Sequence, residues 1–144
     1  MALQYITKDI LTRTDGSALL DLPYDMSWVA GYDKEWVPED FEVKTYGQSI
    51  MARAGEFIGE QLFCFQNPYG PNTGGETPNA YFDVEKNNLS IYSTKPSHGA
   101  GSGNIEGVLS TTTFISGDKI TFKVTQVGTI NPGQGLVFTL KCRV

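Results

Sequence analysis

Side chains able to do covalent or acid–base chemistry are few and scattered in this chain. It carries a single histidine, His98, and two cysteines, Cys64 and Cys142. A Ser–His–Asp or Cys–His arrangement needs its base held rigidly within hydrogen-bond reach of the nucleophile. His98 stands in the stretch Pro-Ser-His-Gly-Ala-Gly-Ser-Gly-Asn at residues 96–104, which reads as a long, flexible loop, so no catalytic role is assigned to it. One histidine and two separated cysteines also fall short of a zinc ligand set. The segment Gly99-Ala100-Gly101-Ser102-Gly103-Asn104 lacks the last glycine of GxGxxG and the GK[ST] of a phosphate loop, and no helix is expected after it. The acidic run Asp33-Lys34-Glu35-Trp36-Val37-Pro38-Glu39-Asp40 lacks the alternating ligand spacing of a calcium loop, and Lys34 opposes a cation there. Carboxylates for a glycosidase pair exist, but nothing singles out two of them. The expectation is no catalytic residue, no metal site and no cofactor.

The residues suited to binding are aromatic and aliphatic. Trp36 sits inside the acidic run, so it either folds back on the domain or stands exposed as a contact. With Tyr69, and with Tyr32 and Tyr81 nearby in type, it offers a platform for a partner or a sugar. Residues 1–25 differ from the rest. They read as a leading arm, extended or with a short helix, whose apolar side chains Tyr5, Ile6, Ile10, Leu11, Leu19 and Leu20 lie outside the clear strands. They are the candidate contacts to a larger assembly.

Composition narrows the classes further. The chain has 144 residues, fitting one domain with a core of its own, and a net charge of −5. Residues 1–42 hold nine acids and three bases, and the remainder seven acids and eight bases. An acidic chain without a basic stripe is unsuited to nucleic acid. The acidic half reads as a solvated surface or as the complement of a basic partner. No basic-then-apolar leader and no apolar run near ~20 residues is present, so the chain is expected to be made in a cytosol, soluble and without membrane contact. Asn88-Leu89-Ser90 matches a glycosylation sequon that has meaning only on a secretory route. Cys64 and Cys142 lie in apolar strand-like runs and are expected to be free core residues.

The elements that position these residues are strands. In residues 119–125, Ile120, Phe122 and Val124 alternate with Lys119, Thr121, Lys123 and Thr125; in the last run Leu136, Phe138, Leu140 and Cys142 alternate with Val137, Thr139, Lys141 and Arg143. A period of two places one face in a core and one in solvent. The two runs form a hairpin with a long loop or a pair joined across a sandwich. Further strands are expected at residues 26–30, 41–46, 49–53, 56–66, 80–85, 89–94 and 107–114, with a tight turn at Lys86-Asn87-Asn88 and a second long loop at 67–78. About eight antiparallel strands over residues 26–144 define an all-β, jelly-roll-like β-sandwich behind a short N-terminal arm.

The ordered series Asp83-Val84-Glu85-Lys86-Asn87, Ser90 to Pro96, Ser116-Gly117-Asp118-Lys119-Ile120-Thr121-Phe122-Lys123-Val124-Thr125-Gln126-Val127-Gly128 and Pro132-Gly133-Gln134-Gly135-Leu136-Val137-Phe138-Thr139-Leu140-Lys141 resembles the distal β-domain of tail-fibre and related structural proteins of tailed bacteriophages. The likeness covers roughly residues 80–143. It implies a virion structural protein, no catalytic residues, and an oligomer, usually a homotrimer. A single sandwich behind a short arm, with no shaft, is similar to a capsid decoration (cement) protein. Such a protein is expected on the capsid exterior, bound to the major capsid protein. The alternative is a receptor-binding tip that takes host surface glycan through Trp36, Tyr69 or the long loops.

Overall fold

In the computed structural model, which describes residues 22–70 and 79–144, twelve strands follow one another with no helix among the described residues. Numbered in chain order they are β1 (Met26–Ala30), β2 (Lys44–Ile50), β3 (Gly55–Gln66), β4 (Ala80–Lys86), β5 (Leu89–Ser90), β6 (Tyr92–Thr94), β7 (Ser97–Gly99), β8 (Gly103–Ile105), β9 (Val108–Leu109), β10 (Thr113–Phe114), β11 (Lys119–Gln126) and β12 (Gln134–Arg143). Every pairing between them is antiparallel. Sheet I has the order β1-β12-β3-β10, and sheet II the order β2-β11-β4-β7-β8 with β5 also on β4. A small β6-β9 ribbon stands apart from both.

The alternation read from the last two long strands is the alternation that builds the core. Leu136, Phe138, Leu140 and Cys142 on β12 are buried against Ile120, Phe122 and Val124 of β11. Phe138 stacks on Phe122 at 4.7 Å and meets Phe82 at 6.2 Å, while Trp28 stacks on Phe122 at 5.6 Å. These rings join sheet I to sheet II, so β11 and β12 are a pair joined across the sandwich and not a hairpin. Burying each such side chain is worth about 1.5–3 kcal/mol.

Four expectations needed correction, the first being the strand at 107–114, which is two short strands in different sheets, β9 paired with β6 and β10 paired with β3. The strands expected at 41–46 and 49–53 are one strand, β2. Gly47 reads as a break but is small because the Trp28 ring lies on its Cα, where any Cβ would collide with the indole. The strand expected at 89–94 is split at Ile91, which turns fully into the core while its carbonyl accepts from the amides of Ser110 and Thr111. The glycine loop expected at 96–104 is the hairpin β7–β8, with Ser97 opposite Ile105 and His98 opposite Asn104. Its pairing is carried by the backbone, so composition alone reads as a loop. The Asn87-Asn88 turn is as expected, both residues having positive φ (51° and 71°) between β4 and β5.

Residues 22–25 are tied to the end of β12. Leu22 and Val144 exchange backbone hydrogen bonds, Tyr24 N donates to Cys142 O at 2.9 Å, and the Tyr24 ring stacks on Phe114.

Candidate docking surface

The outer face of sheet I is apolar at one end. β12 places Val137 directly between Val29 of β1 and Phe63 of β3. Two residues along, Ser27 and Thr139 hydroxyls share a hydrogen bond of 2.7 Å beside Gln61, which fixes this row as the outward one. Phe63 and Phe65 keep 60% and 63% of their surface exposed. An antiparallel strand with apolar residues in both phases needs cover on both faces, and β3 has an inner cover only.

The loop between β1 and β2 extends this apolar row. Its turn is built on Asp33, whose Oδ1 accepts from Glu35 N at 2.8 Å and Val37 N at 2.9 Å. Trp36 N donates to Asp33 O at 3.1 Å, and Trp36 takes a φ of 63°, a conformation that costs a bulky residue free energy. The indole points outward, 67% exposed, with its ring 5.9 Å from that of Tyr32. The loop closes at the Tyr32–Pro38 bridge and folds onto the start of β12, with Glu39 N and Gly135 N both donating to Gly31 O. Over Gly135 the Phe65 Cβ, the Pro38 Cβ and the Tyr32 hydroxyl converge. Val29, Val137, Phe63, Phe65, Pro38, Tyr32 and Trp36 therefore form one connected strip.

Carboxylates border it. Asp33, Glu35, Glu39, Asp40 and Glu42 are all exposed, against Lys34 and Lys44. Asp40 is tied to Gln134 Nε2 at 2.8 Å and Glu42 to Lys44 at 3.5 Å. An open groove of about 590 Å³ runs beside the strip, lined by Tyr32, Glu39, Asp40, Glu42, Tyr46 and Gln134 among others.

Of the residues expected to make contacts, Trp36 lies at the tip of this strip. Tyr69 is at the same end of the sandwich but in another setting. Its backbone pairs with Asn131 in the turn leading to β12, its side chain is part-exposed, and no ring contact joins it to Trp36. The arm residues Tyr5, Ile6, Ile10, Leu11, Leu19 and Leu20 lie outside the described residues. Phe63, Phe65 and Val137 were not singled out from the sequence. The signal was present in Leu62-Phe63-Cys64-Phe65, where apolar side chains fill both phases.

The polar groups inside the molecule are used to close it. His98 is buried on β7, not held in a mobile loop. Its Nδ1 meets Asn104 Oδ1, its Nε2 meets Asn67 Oδ1 at 2.6 Å, and Asn104 Nδ2 donates to Leu62 O at 2.8 Å. The stretch of the β3 edge beyond its short pairing with β10 is thus stitched to the β7–β8 hairpin by side chains. Glu60, buried a short way along β3, accepts from Tyr92 Oη at 3.0 Å and Gly107 N at 2.6 Å. Burial pushes its carboxyl above the usual range, against the lowering effect of those two donors. Cys64 and Cys142 are free, buried thiols that burial pushes up to about 12. Among the described residues no three His, Cys, Asp or Glu side chains converge as a metal site would require.

No protein-family model, curated protein or solved structure matches the chain. The fold and its surface define an all-β sandwich whose sheet I carries an apolar strip at one end of its outer face.

Proposed function

We propose that this chain is a structural component of a bacteriophage particle, a capsid decoration (cement) protein. It sits as a homotrimer on the capsid exterior, where subunits of the major capsid protein meet, and stabilises the shell by modest contacts repeated across several subunits. The observation that carries this reading is the uncovered aromatic strip on the outer face of sheet I. A monomer that met only water would leave that hydrophobic free energy unrealised. The likeness of residues 80–143 to phage structural proteins supports the virion setting. The leading segment, with Tyr5, Ile6, Ile10, Leu11, Leu19 and Leu20, adds contact area.

Counting copies per particle tests the reading. Hundreds of copies on the head agree with it; a handful at the tail overturns it. Removing residues 1–21 is expected to weaken head binding, and unchanged binding removes the arm from the account. A second reading, a receptor-binding tip for host glycan, draws on one observation: Trp36 and Tyr32 project beside a carboxylate-lined groove. Binding of the isolated protein to a glycan array, lost in Trp36→Ala, is the result that reading requires.

A further inference from the structure

The aromatic strip has an electrostatic border, and the border identifies the kind of surface that covers it. Within residues 31–42 five carboxylates, Asp33, Glu35, Glu39, Asp40 and Glu42, stand against one base, Lys34. Three of the five are engaged within the loop or next to it: Asp33 by two amides, Asp40 by Gln134, Glu42 by Lys44. Glu35 and Glu39, one on each side of Trp36 in the chain, make no ion pair among the described residues. Beyond the strip on the same face, Ser27, Thr139 and Gln61 are neutral. The apolar strip is therefore bordered by free negative charge at the Trp36 end and by uncharged hydroxyl and amide groups at the other.

We propose that the strip docks a protein surface whose apolar centre is flanked, on the side that meets the Trp36 loop, by lysine or arginine. This rests on the assembly reading above and names the chemistry of the partner in it. Phe63, Phe65 and Trp36 supply the apolar anchors, which at interfaces carry most of the affinity. Glu35 and Glu39 supply the charge that steers encounter and fixes which end of the partner lies over the loop. A partner with an acidic rim is excluded by like-charge juxtaposition. The anchors and the rim thus act on different observables, dissociation for the first and association for the second.

The test uses heads of the encoding virus prepared without this chain as the probe, with full-length wild-type protein, F63S/F65S and E35K/E39K. Wild type is expected to bind with an association rate that falls as salt rises. F63S/F65S is expected to lose about 100-fold in affinity, and E35K/E39K to associate about 10-fold more slowly, with the salt dependence abolished or inverted. Glu35 and Glu39 are exposed loop residues, so the second variant reports even where the first folds poorly. Wild type that does not bind heads overturns the decoration reading and the partner with it. Heads bound equally well by wild type and F63S/F65S overturn the docking face alone. Loss of binding in F63S/F65S with unchanged, salt-insensitive association of E35K/E39K overturns the basic rim. Loss of the homotrimer in F63S/F65S makes a second copy the occupant, and glycan-array binding lost in that variant makes it a sugar; either result overturns the proposal.

Discussion

On the outer face of sheet II, Lys123 of β11 stands directly opposite Asp83 of β4, and its Nζ reaches Glu85 at 2.8 Å. Ser90 donates to Asp83 at 2.5 Å and Lys95 lies 3.4 Å from it. Thr121 and Thr125 continue that face. On the outer face of sheet I the corresponding row is Val29, Val137 and Phe63. Both sheets bury their inner faces in one aromatic core, so burial within the monomer explains neither difference. The charged groups on sheet II pair with one another, Asp83 and Thr121 are buried on that face, and the Thr121 hydroxyl has no hydrogen-bond partner among the described residues. The rings on sheet I gain nothing until another apolar surface arrives. The outer face of sheet II is lined by paired polar groups, with Ile50 exposed on its edge strand β2, and under our proposal the apolar strip of sheet I is completed in a complex.

The largest way to break that contrast is from the inside. Phe138 contacts both Phe122 and Phe82, so Phe138→Ala is expected to cost about 3–5 kcal/mol by chemical denaturation. Its neighbour Val137, on the same strand but the outer face, is expected to tolerate alanine with far less loss. Gly47→Ala pushes a methyl group into the Trp28 ring and is expected to cost about 1–3 kcal/mol, the range for overpacking a filled site. A similar cost in a Trp28→Ala background would show that the glycine serves the backbone instead.

How much of this was legible before the structure varies with the kind of signal. β11 and β12 were readable because their side chains alternate cleanly and one phase of each, Ile120, Phe122 and Val124 or Leu136, Phe138, Leu140 and Cys142, reaches the core. The Asn87-Asn88 turn was readable because few residues accept positive φ. The break at Ile91 was not, because one isoleucine among apolar neighbours has no periodic signature of a turn into the core. Neither was the β7–β8 hairpin, whose glycines look like a loop and whose pairing comes from backbone amides. Trp36 was found by its oddity in an acidic run. Phe63 and Phe65 were missed because an apolar run on β3 does not say which phase faces out. Only the register against Val137, together with the extra residue Ile58 where β3 shifts against Lys141 and Cys142, settles it.

Smaller effects sharpen the comparison. Glu60 is the charged group placed on the inner side of β3 rather than on either outer face. Its folded carboxyl titrates above the unfolded one, so the native state holds that proton more tightly. The associated stability is present below the unfolded value and is lost as pH rises through the folded value. Gln at this position keeps an acceptor for Gly107 and a polar contact to Tyr92 without the buried charge. Glu60→Gln is expected to match wild type in melting temperature at acidic pH and to exceed it increasingly toward neutral pH. A difference independent of pH would contradict the assignment. Least of all in stability, Phe63→Ser is expected to stay within about 0.5 kcal/mol of wild type, because the ring it removes is already largely in water.

The central claim, that sheet I presents a docking face and sheet II a polar face that takes no partner, is tested most directly by oxidative footprinting of the protein free and in native particles. Tyr81 on the outer face of sheet II, 37% exposed, serves as the internal comparator. The account predicts that Phe63, Phe65 and Trp36 lose labelling in particles while Tyr81 keeps it. Unchanged labelling of the three, or protection of Tyr81 in their place, would contradict it.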